Sequence, residues 1–317
     1  MLREALILLS ENSLARRFAT GAPGARTLAR RFVAGETVAD GITATQRLNR
    51  AGMSVSLDYL GESVSQRSEA VAAADTCLRL IDRIAEERLD ANVSLKLTQT
   101  GQDIDDTFLR ENVGRVLDRA RDVDMFVRFD MESSQHTQRT LDFHRTVWNE
   151  GYRNVGVVLQ SYMRRSMEDA RAVSGLGARV RLCKGAYQEP VEVAYQEKAE
   201  VDANFVALMK LLLTEGTYPG IATHDEAMIR ATRQFARERS IANSAFEFQM
   251  LFGVRRDLQT ALRQQGYNVR VYVPFGEAWY PYLMRRMAER PANLLFMVNA
   301  VLAESPLRFL VRNRNES

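Results

Sequence analysis

Cysteine is scarce in this sequence: 317 residues hold two, Cys77 and Cys183. Two thiols build no disulfide framework, and such a chain belongs in a reducing compartment. Histidine is limited to His136, His144 and His224, no two of them at a metal-binding spacing, so no metal site is expected. Charge of one sign is also lacking. The 43 basic and 40 acidic residues leave a net +3, without the basic block that neutralises a run of phosphates, which argues against a nucleic-acid partner. No window approaches the roughly 18 uncharged apolar residues of a membrane-spanning helix. The opening MLREALILLSEN has a short apolar run that breaks at once into acids and a Ser-Asn pair, without a signal peptide's core and cleavage site. The expectation is a soluble cytoplasmic protein, with peripheral contact at the inner face of the cytoplasmic membrane left open. Oligomeric state is not legible.

Apolar residues are abundant, at 46% of the chain, enough to bury a large core. From about residue 53 onward, short β-like runs alternate with longer helical ones. The runs are SVSLDYL (54–60), NVSLKLTQ (92–99), MFVRFDME (125–132), NVGVVLQ (154–160), RVRLCKGAY (179–187), GIATHDE (220–226), SAFEFQML (244–251) and NVRVYVPF (268–275). Between them lie amphipathic stretches such as SEAVAAADTCLRLIDRIAEERL, with apolar residues at helical spacing. Repeated β-then-α units give a parallel sheet. Eight of them in about 250 residues predict an α/β fold of the (β/α)8 barrel type; a doubly wound sheet, the alternative, usually carries fewer repeats. Residues 1–50, broken by Gly and polar residues, read as a helical segment flanking the barrel. Residues 51–317 then comprise the barrel and a C-terminal helical tail.

Barrel enzymes build their sites at the C-terminal ends of the strands, so the strand list is also a site list. Strand two ends in Lys96 and Thr98, three in Asp130 and Glu132, and four in Gln160. Strand five carries Arg181, then Lys184, Gly185 and Ala186; six ends in Thr223, His224 and Asp225, seven in Gln249 and Leu251, eight in Tyr272. Polar residues in apolar strands need partners when buried. Architectural pairs, such as Lys96 with Asp130 or Glu132, account for single residues better than for so many at one end.

The stretch FGEAWYPYLMRRMAER (275–290) follows strand eight and reads as a helix. Tyr282, Arg285, Arg286 and Glu289 stand at i, i+3, i+4 and i+7, on one broad face. Glu289 reaches both arginines, and two planar guanidinium forks make a clamp for one carboxylate. Trp279, Tyr280 and Tyr282 would wall the clamp with apolar surface. The ligand this predicts is a small carboxylate with a hydrophobic body; the alternative is a surface helix laced with Glu–Arg pairs. No nucleotide loop accompanies the clamp. SGLGAR (174–179) precedes a strand, whereas a dinucleotide fingerprint follows one and opens a helix.

In order along the chain, RLCKGAY (181–187), THD (223–225), EFQML (247–251) and YVPFGEAWYPYLMRRMAE (272–289) resemble the motifs of the proline dehydrogenases. The resemblance spans roughly residues 40–300, and the length resembles the single-function bacterial form. It implies a distorted (β/α)8 barrel that holds FAD non-covalently, oxidises L-proline to Δ1-pyrroline-5-carboxylate and passes electrons to a membrane quinone. By the same resemblance Arg285 and Arg286 are the carboxylate clamp, oriented by Glu289, and Lys96 is a third cation near the substrate carboxylate. Asp130, Ala186, Leu251, Tyr272 and Tyr282 would line the proline pocket. Arg181 would stand near flavin N5. Gln160, Lys184, Gly185, Ala186, Thr223 and His224 would contact the flavin or its phosphates, with Lys198 at the adenosine end. There QEKAEVDANF departs from the family's Thr-rich segment, and Gln188 stands where bifunctional members often carry Trp. Two alternatives stay open: a homologue that prefers hydroxyproline, and a carboxylate-binding barrel that catalyses nothing. A phosphate-binding barrel would want a Gly-rich loop after strands seven and eight; QMLFG and YVPFG carry one glycine each.

Overall fold

The structure, a computed structural model, describes residues 25–61 and 63–289, with residues 25–28 and 285–289 described by their backbone alone. Eight strands close into a barrel in chain order: β1 (Ser54–Tyr59), β2 (Ala91–Leu95), β3 (Val127–Phe129), β4 (Val155–Gln160), β5 (Arg179–Cys183), β6 (Gly220–Ala222), β7 (Glu247–Leu251) and β8 (Asn268–Phe275). All eight pairings are parallel, including β8 with β1. The expected (β/α)8 barrel is therefore the fold.

Each strand alternates, as a pleated backbone requires. Val55 and Leu57, Val93 and Leu95, Val180 and Leu182, and Val271 and Val273 are buried in the shell between barrel and helices. The alternate set points into the barrel and is polar: Ser56, Asp58, Asn92, Ser94, Arg128, Arg181, Glu247, Gln249, Arg270 and Tyr272. Contacts made across the barrel by Arg181 place these side chains inside. A typical (β/α)8 interior is filled by branched aliphatic residues; this one is lined by polar and charged residues.

Helices α1 (Ala25–Phe32) and α2 (Val38–Arg50) precede the barrel. Then α3 (Arg67–Glu86) follows β1, the one-turn α4 (Leu97–Thr100) and α5 (Asp106–Asp122) follow β2, and α6 (Ser134–Asn149) follows β3. The remaining helices are α7 (Ser166–Gly175), α8 (Lys198–Glu215), α9 (Glu226–Glu238), α10 (Arg256–Gln264) and α11 (Trp279–Glu289). Helix starts are written locally. Thr37 and Asp40 form a capping box on α2, Asp105 accepts from the Phe108 amide, and Asp225 accepts from the Ala227 amide.

Helix α2 packs on the outer face of β1 and β8, the place an eighth barrel helix would take. Helix α11 packs instead against α1, in a second apolar cluster of Ala29, Phe32, Val33, Leu60, Trp279, Tyr280, Tyr282, Leu283 and Met284. The Ala34 amide bonds the Pro274 carbonyl, the Gly276 amide bonds the Gly35 carbonyl, and Trp279 Nε1 donates to Glu36 at 3.0 Å.

Strand ends fall short of the sequence reading in several places, most of all in β5, which stops at Cys183 rather than running on to Tyr187. β2 stops at Leu95, and Lys96 is the N-cap of α4 rather than a strand residue. Thr98 leaves the strand line because its hydroxyl donates to Glu132 at 2.6 Å. β3 stops at Phe129, and β6 stops at Ala222 because Asp225 caps α9. β7 begins only at Glu247, after a single 3-10 turn at Asn243–Ala245. The tail beyond Glu289 and the first 24 residues lie outside the described residues.

His144 on α6 is buried, with its ring between Phe129 and Trp148 at 6.4 and 5.7 Å. Burial first, and Arg128 nearby, lower its pKa to about 4. Folding must expel a proton wherever the unfolded histidine holds one, between pH 6.5 and 4, so stability falls as pH falls through that window. The gap from 6.5 to about 4, at about 1.4 kcal/mol per unit, makes the loss on the order of 3 kcal/mol. Urea unfolding at pH 7 and pH 4 should show that much less pH dependence in His144→Leu than in the parent; an equal slope in both would contradict it.

Candidate active site

Arg181 occupies the centre of the barrel. Its Nε donates to Gln249 Oε1 at 2.5 Å, Nη1 to Asp130 Oδ1 at 2.7 Å, and Nη2 to Ser56 Oγ and Ser94 Oγ at 3.0 and 3.1 Å. These partners come from β7, the end of β3, β1 and β2. The ring of Tyr272 on β8 covers the guanidinium at 5.1 Å. Tyr272 also donates its hydroxyl to Asp130 Oδ2 at 2.7 Å, so Asp130 is held by both residues. Burial, then Asp130 and Asp58, push the Tyr272 phenol well above its usual range, and it stays a donor.

Lys96 lies beside this group and does not pair with Asp130 or Glu132 as the sequence reading offered. Its Nζ contacts both oxygens of Asp58, at 2.9 and 3.1 Å, and Asp58 is 1% exposed. Burial works against the ammonium, but Asp58, Asp130 and Glu132 outweigh it and raise its pKa. Asp58, Ser56 and Ser94 are the residues that sequence reasoning missed. Their signal was the alternation in SVSLDYL and NVSLKL, where the small and polar residues are the inward set.

On the other side of the mouth, Gln160 ends β4 and is 4% exposed, with its Oε1 unpaired. His224 Nε2 accepts from the Leu251 amide at 2.9 Å, which puts its proton on Nδ1. Thr223 Oγ1 accepts from the Asp225 amide at 3.0 Å. Lys184 bonds Asp202 and, at 2.7 Å, Asp225, while the exposed Lys198 bonds Asp202 and approaches Asp225 at 3.6 Å. Burial opposes the charge of Asp225, but Lys184, the Ala227 amide and Lys198 bring its pKa down to about 2. Two lysines and two carboxylates thus balance each other here. Gly185 adopts φ +105°, and a Cβ there would lie 2.2 Å from the Tyr162 ring; Ala186 follows in the same half-buried loop.

The structure brings together Lys96, Asp130, Arg181 and Tyr272. Leu251 is joined to them through β7, two residues beyond Gln249. Tyr282, together with Trp279 and Tyr280, is buried in the cluster against α1. Arg285, Arg286 and Glu289 lie on the last turns of α11, and their side chains fall outside the described residues.

Among the described residues no group of three His, Cys, Asp or Glu side chains could hold a metal ion. No described helix is long and apolar enough to cross a membrane. A cavity of about 140 Å³ opens between α6 and α7, lined in part by Leu141, His144, Arg165 and Val173, on the outer wall rather than at the strand ends.

Removing one member of a buried ion pair strands the other, at a cost of roughly 3–5 kcal/mol. Asp58→Leu should therefore destabilise the protein by that amount in urea unfolding. Adding Lys96→Met should recover most of the loss. Additive losses in the double variant would mean that the pair is not coupled.

Residues 42–299 match the family model described as proline dehydrogenase. Proline dehydrogenase 1 of Bacillus subtilis (strain 168) is 41% identical over 302 residues, covering 95% of this chain and 99% of that protein. Proline dehydrogenase of Deinococcus radiodurans is 41% identical over 279 residues, covering 87% and 90%. Among solved structures, proline utilization A (PutA) from Bdellovibrio bacteriovorus, inactivated by N-propargylglycine, superposes with a TM-score of 0.80 at 26% identity, over 90% of this chain and 36% of that one. A charged barrel interior, four motifs in order and relatives matched nearly end to end agree: the chain belongs to the proline dehydrogenase family and is an enzyme that oxidises proline.

Proposed function

We propose that the enzyme converts L-proline to Δ1-pyrroline-5-carboxylate with a non-covalently bound FAD, and that a quinone takes the electrons onward. The observation that carries this reading is the buried Arg181, a cation fixed by four hydrogen bonds inside the barrel. When bound, the flavin supplies a two-electron acceptor for a hydride from proline C5 at its N5.

The residues present fit such a group. Gln160 Oε1 is a buried acceptor without a partner, and an isoalloxazine carries an N–H donor that suits it. Arg181 provides fixed positive charge in a dry site, where it acts without reorganisation. Lys184, Gly185, Ala186, Thr223 and His224 would lie along the flavin and its phosphates, and Lys198 toward the adenosine. Since Asp202 and Asp225 already occupy both lysines, a phosphate there would compete with carboxylates.

Arg285 and Arg286, oriented by Glu289, would grip the proline carboxylate, with Lys96 as a third cation. Asp130, Ala186, Leu251, Tyr272 and Tyr282 would close around the ring. The clamp fixes C5 in one position, which is the entropic part of catalysis. The proline nitrogen must give up its extra proton to become an imine, so the rate should fall at low pH. Peripheral membrane contact would bring the quinone to the enzyme.

The purified enzyme should be yellow and should bleach anaerobically on adding L-proline. A colourless protein, or a yellow one that stays yellow, would overturn the assignment. Trans-4-hydroxyproline in the same assay distinguishes the hydroxyproline-preferring alternative. Arg286→Lys should raise the proline KM by roughly tenfold or more with FAD still bound, because lysine cannot offer the bidentate fork. An unchanged KM would remove the clamp. Arg181→Ala should weaken FAD binding or make the flavin harder to reduce.

A further inference from the structure

The guanidinium of Arg181 needs an orienting group, and the structure contains one that the proposed machinery does not use. Gln249 on β7 is 3% exposed and stands between two charged groups of opposite sign. Its Oε1 accepts from Arg181 Nε at 2.5 Å, and its Nε2 donates to Glu247 Oε1 at 2.6 Å. Chemistry allows no other orientation: a guanidinium only donates and a carboxylate only accepts, so a flipped amide would lose both bonds.

Glu247 is itself held on both oxygens. Arg270 Nε contacts its two oxygens at 2.8 and 3.0 Å, and Arg270 Nη1 reaches the Val55 carbonyl at 2.8 Å and Asn92 Oδ1 at 3.1 Å. Burial alone would raise the Glu247 pKa, but Arg270, Gln249 and Arg128 pull it below the usual carboxylate range. A chain of fixed contacts thus climbs from the lower barrel through Glu247 and Gln249 to Arg181. Space for the amide comes from β6, where a Cβ on Gly220 would lie 2.4 Å from Gln249 Nε2. Gly220 is also the register partner of both Arg181 and Glu247.

We propose that Gln249 is a positioning residue: it sets the rotation of the Arg181 guanidinium, Glu247 sets Gln249, and Gly220 leaves the room. This rests on the reading that Arg181 stabilises negative charge on a bound flavin. Asp130 cannot replace Gln249, because it holds Nη1 and fixes one end of the fork. Ser56 and Ser94 hold Nη2, and the Nε contact with Gln249 adds the third point that fixes the plane.

The test is the midpoint potential of bound FAD, read by spectroelectrochemistry without proline, alongside FAD affinity and urea unfolding. Gln249→Met fills a similar volume without an acceptor. It should make the flavin harder to reduce by about tenfold in the equilibrium, or about 30 mV for a two-electron couple. In turnover, kcat should fall while the proline KM stays within about twofold, since Tyr272 still holds Asp130. Gly220→Ala keeps every polar atom and displaces only the amide, and it should move the potential in the same sense. If Gln249→Met does not fold, the potential of Gly220→Ala decides. A loss of stability with the potential unmoved means a merely structural role and overturns the proposal. Arg181→Lys separates the two ideas. If it shifts the potential while Gly220→Ala and Gln249→Met do not, only the role of Gln249 falls. If it leaves the potential unmoved as well, the reading of Arg181 falls with it.

Discussion

A guanidinium enclosed by eight strands has to be satisfied on every side, and the interior of this barrel is organised around that requirement. Arg181 spends four N–H groups on β1, β2, β7 and the end of β3, and its face on Tyr272. Arg128, lower down, meets the same demand only in part: its Nη1 bonds the carbonyls of Val157 and Arg179 and the Phe126 ring lies 4.7 Å from its guanidinium, while its buried Nε has no hydrogen-bond partner. Each arginine has a glycine as its register partner on the next strand, Gly156 beside Arg128 and Gly220 beside Arg181. A Cβ at Gly156 would lie 2.9 Å from Arg128 Nη1, so the barrel makes room by omission. Burying charge is costly, and the cost is met here by neighbours from several strands at once. The charged interior and the closed barrel therefore depend on each other.

The same economy of position governs the helices. Helix α2 covers β1 and β8 from outside, and α11 packs on α1. The aromatic residues of α11 pack in one cluster with α1. Trp279, Tyr280 and Tyr282 are thus a structural anchor in the first place. In the proposed enzyme their burial would hold the arginine-bearing turns over the strand ends. The N-terminal segment is part of this arrangement through its backbone bonds at Ala34 and Gly35 and through Glu36.

The eight strands were legible because apolar runs of parallel strands are short, β-rich and bounded by turn residues. Their C-terminal bounds were less so. Thr98 leaves the strand line where its hydroxyl bonds Glu132, 34 residues away, which local propensity does not encode, whereas Asp225 leaves it to cap α9 through the Ala227 amide. For the candidate site, Asp130, Arg181, Lys96 and Tyr272 stood out as polar residues in apolar strands. Asp58, Ser56 and Ser94 did not, because a serine or aspartate in an alternating strand looks like a solvent-facing one until the strand is known to be wrapped.

What the sequence by itself determined is the succession of β and α segments, the order of the polar residues at their ends and the caps that start the helices, since each depends on neighbours a few residues apart. Only the tertiary structure decided who pairs with whom. Lys96 goes to Asp58 rather than to Asp130, and Arg181 draws its partners from residues 51 to 125 positions away. Closing the barrel brings strands remote in sequence within hydrogen-bonding distance, and burial then leaves each charge no partner but the ones found there.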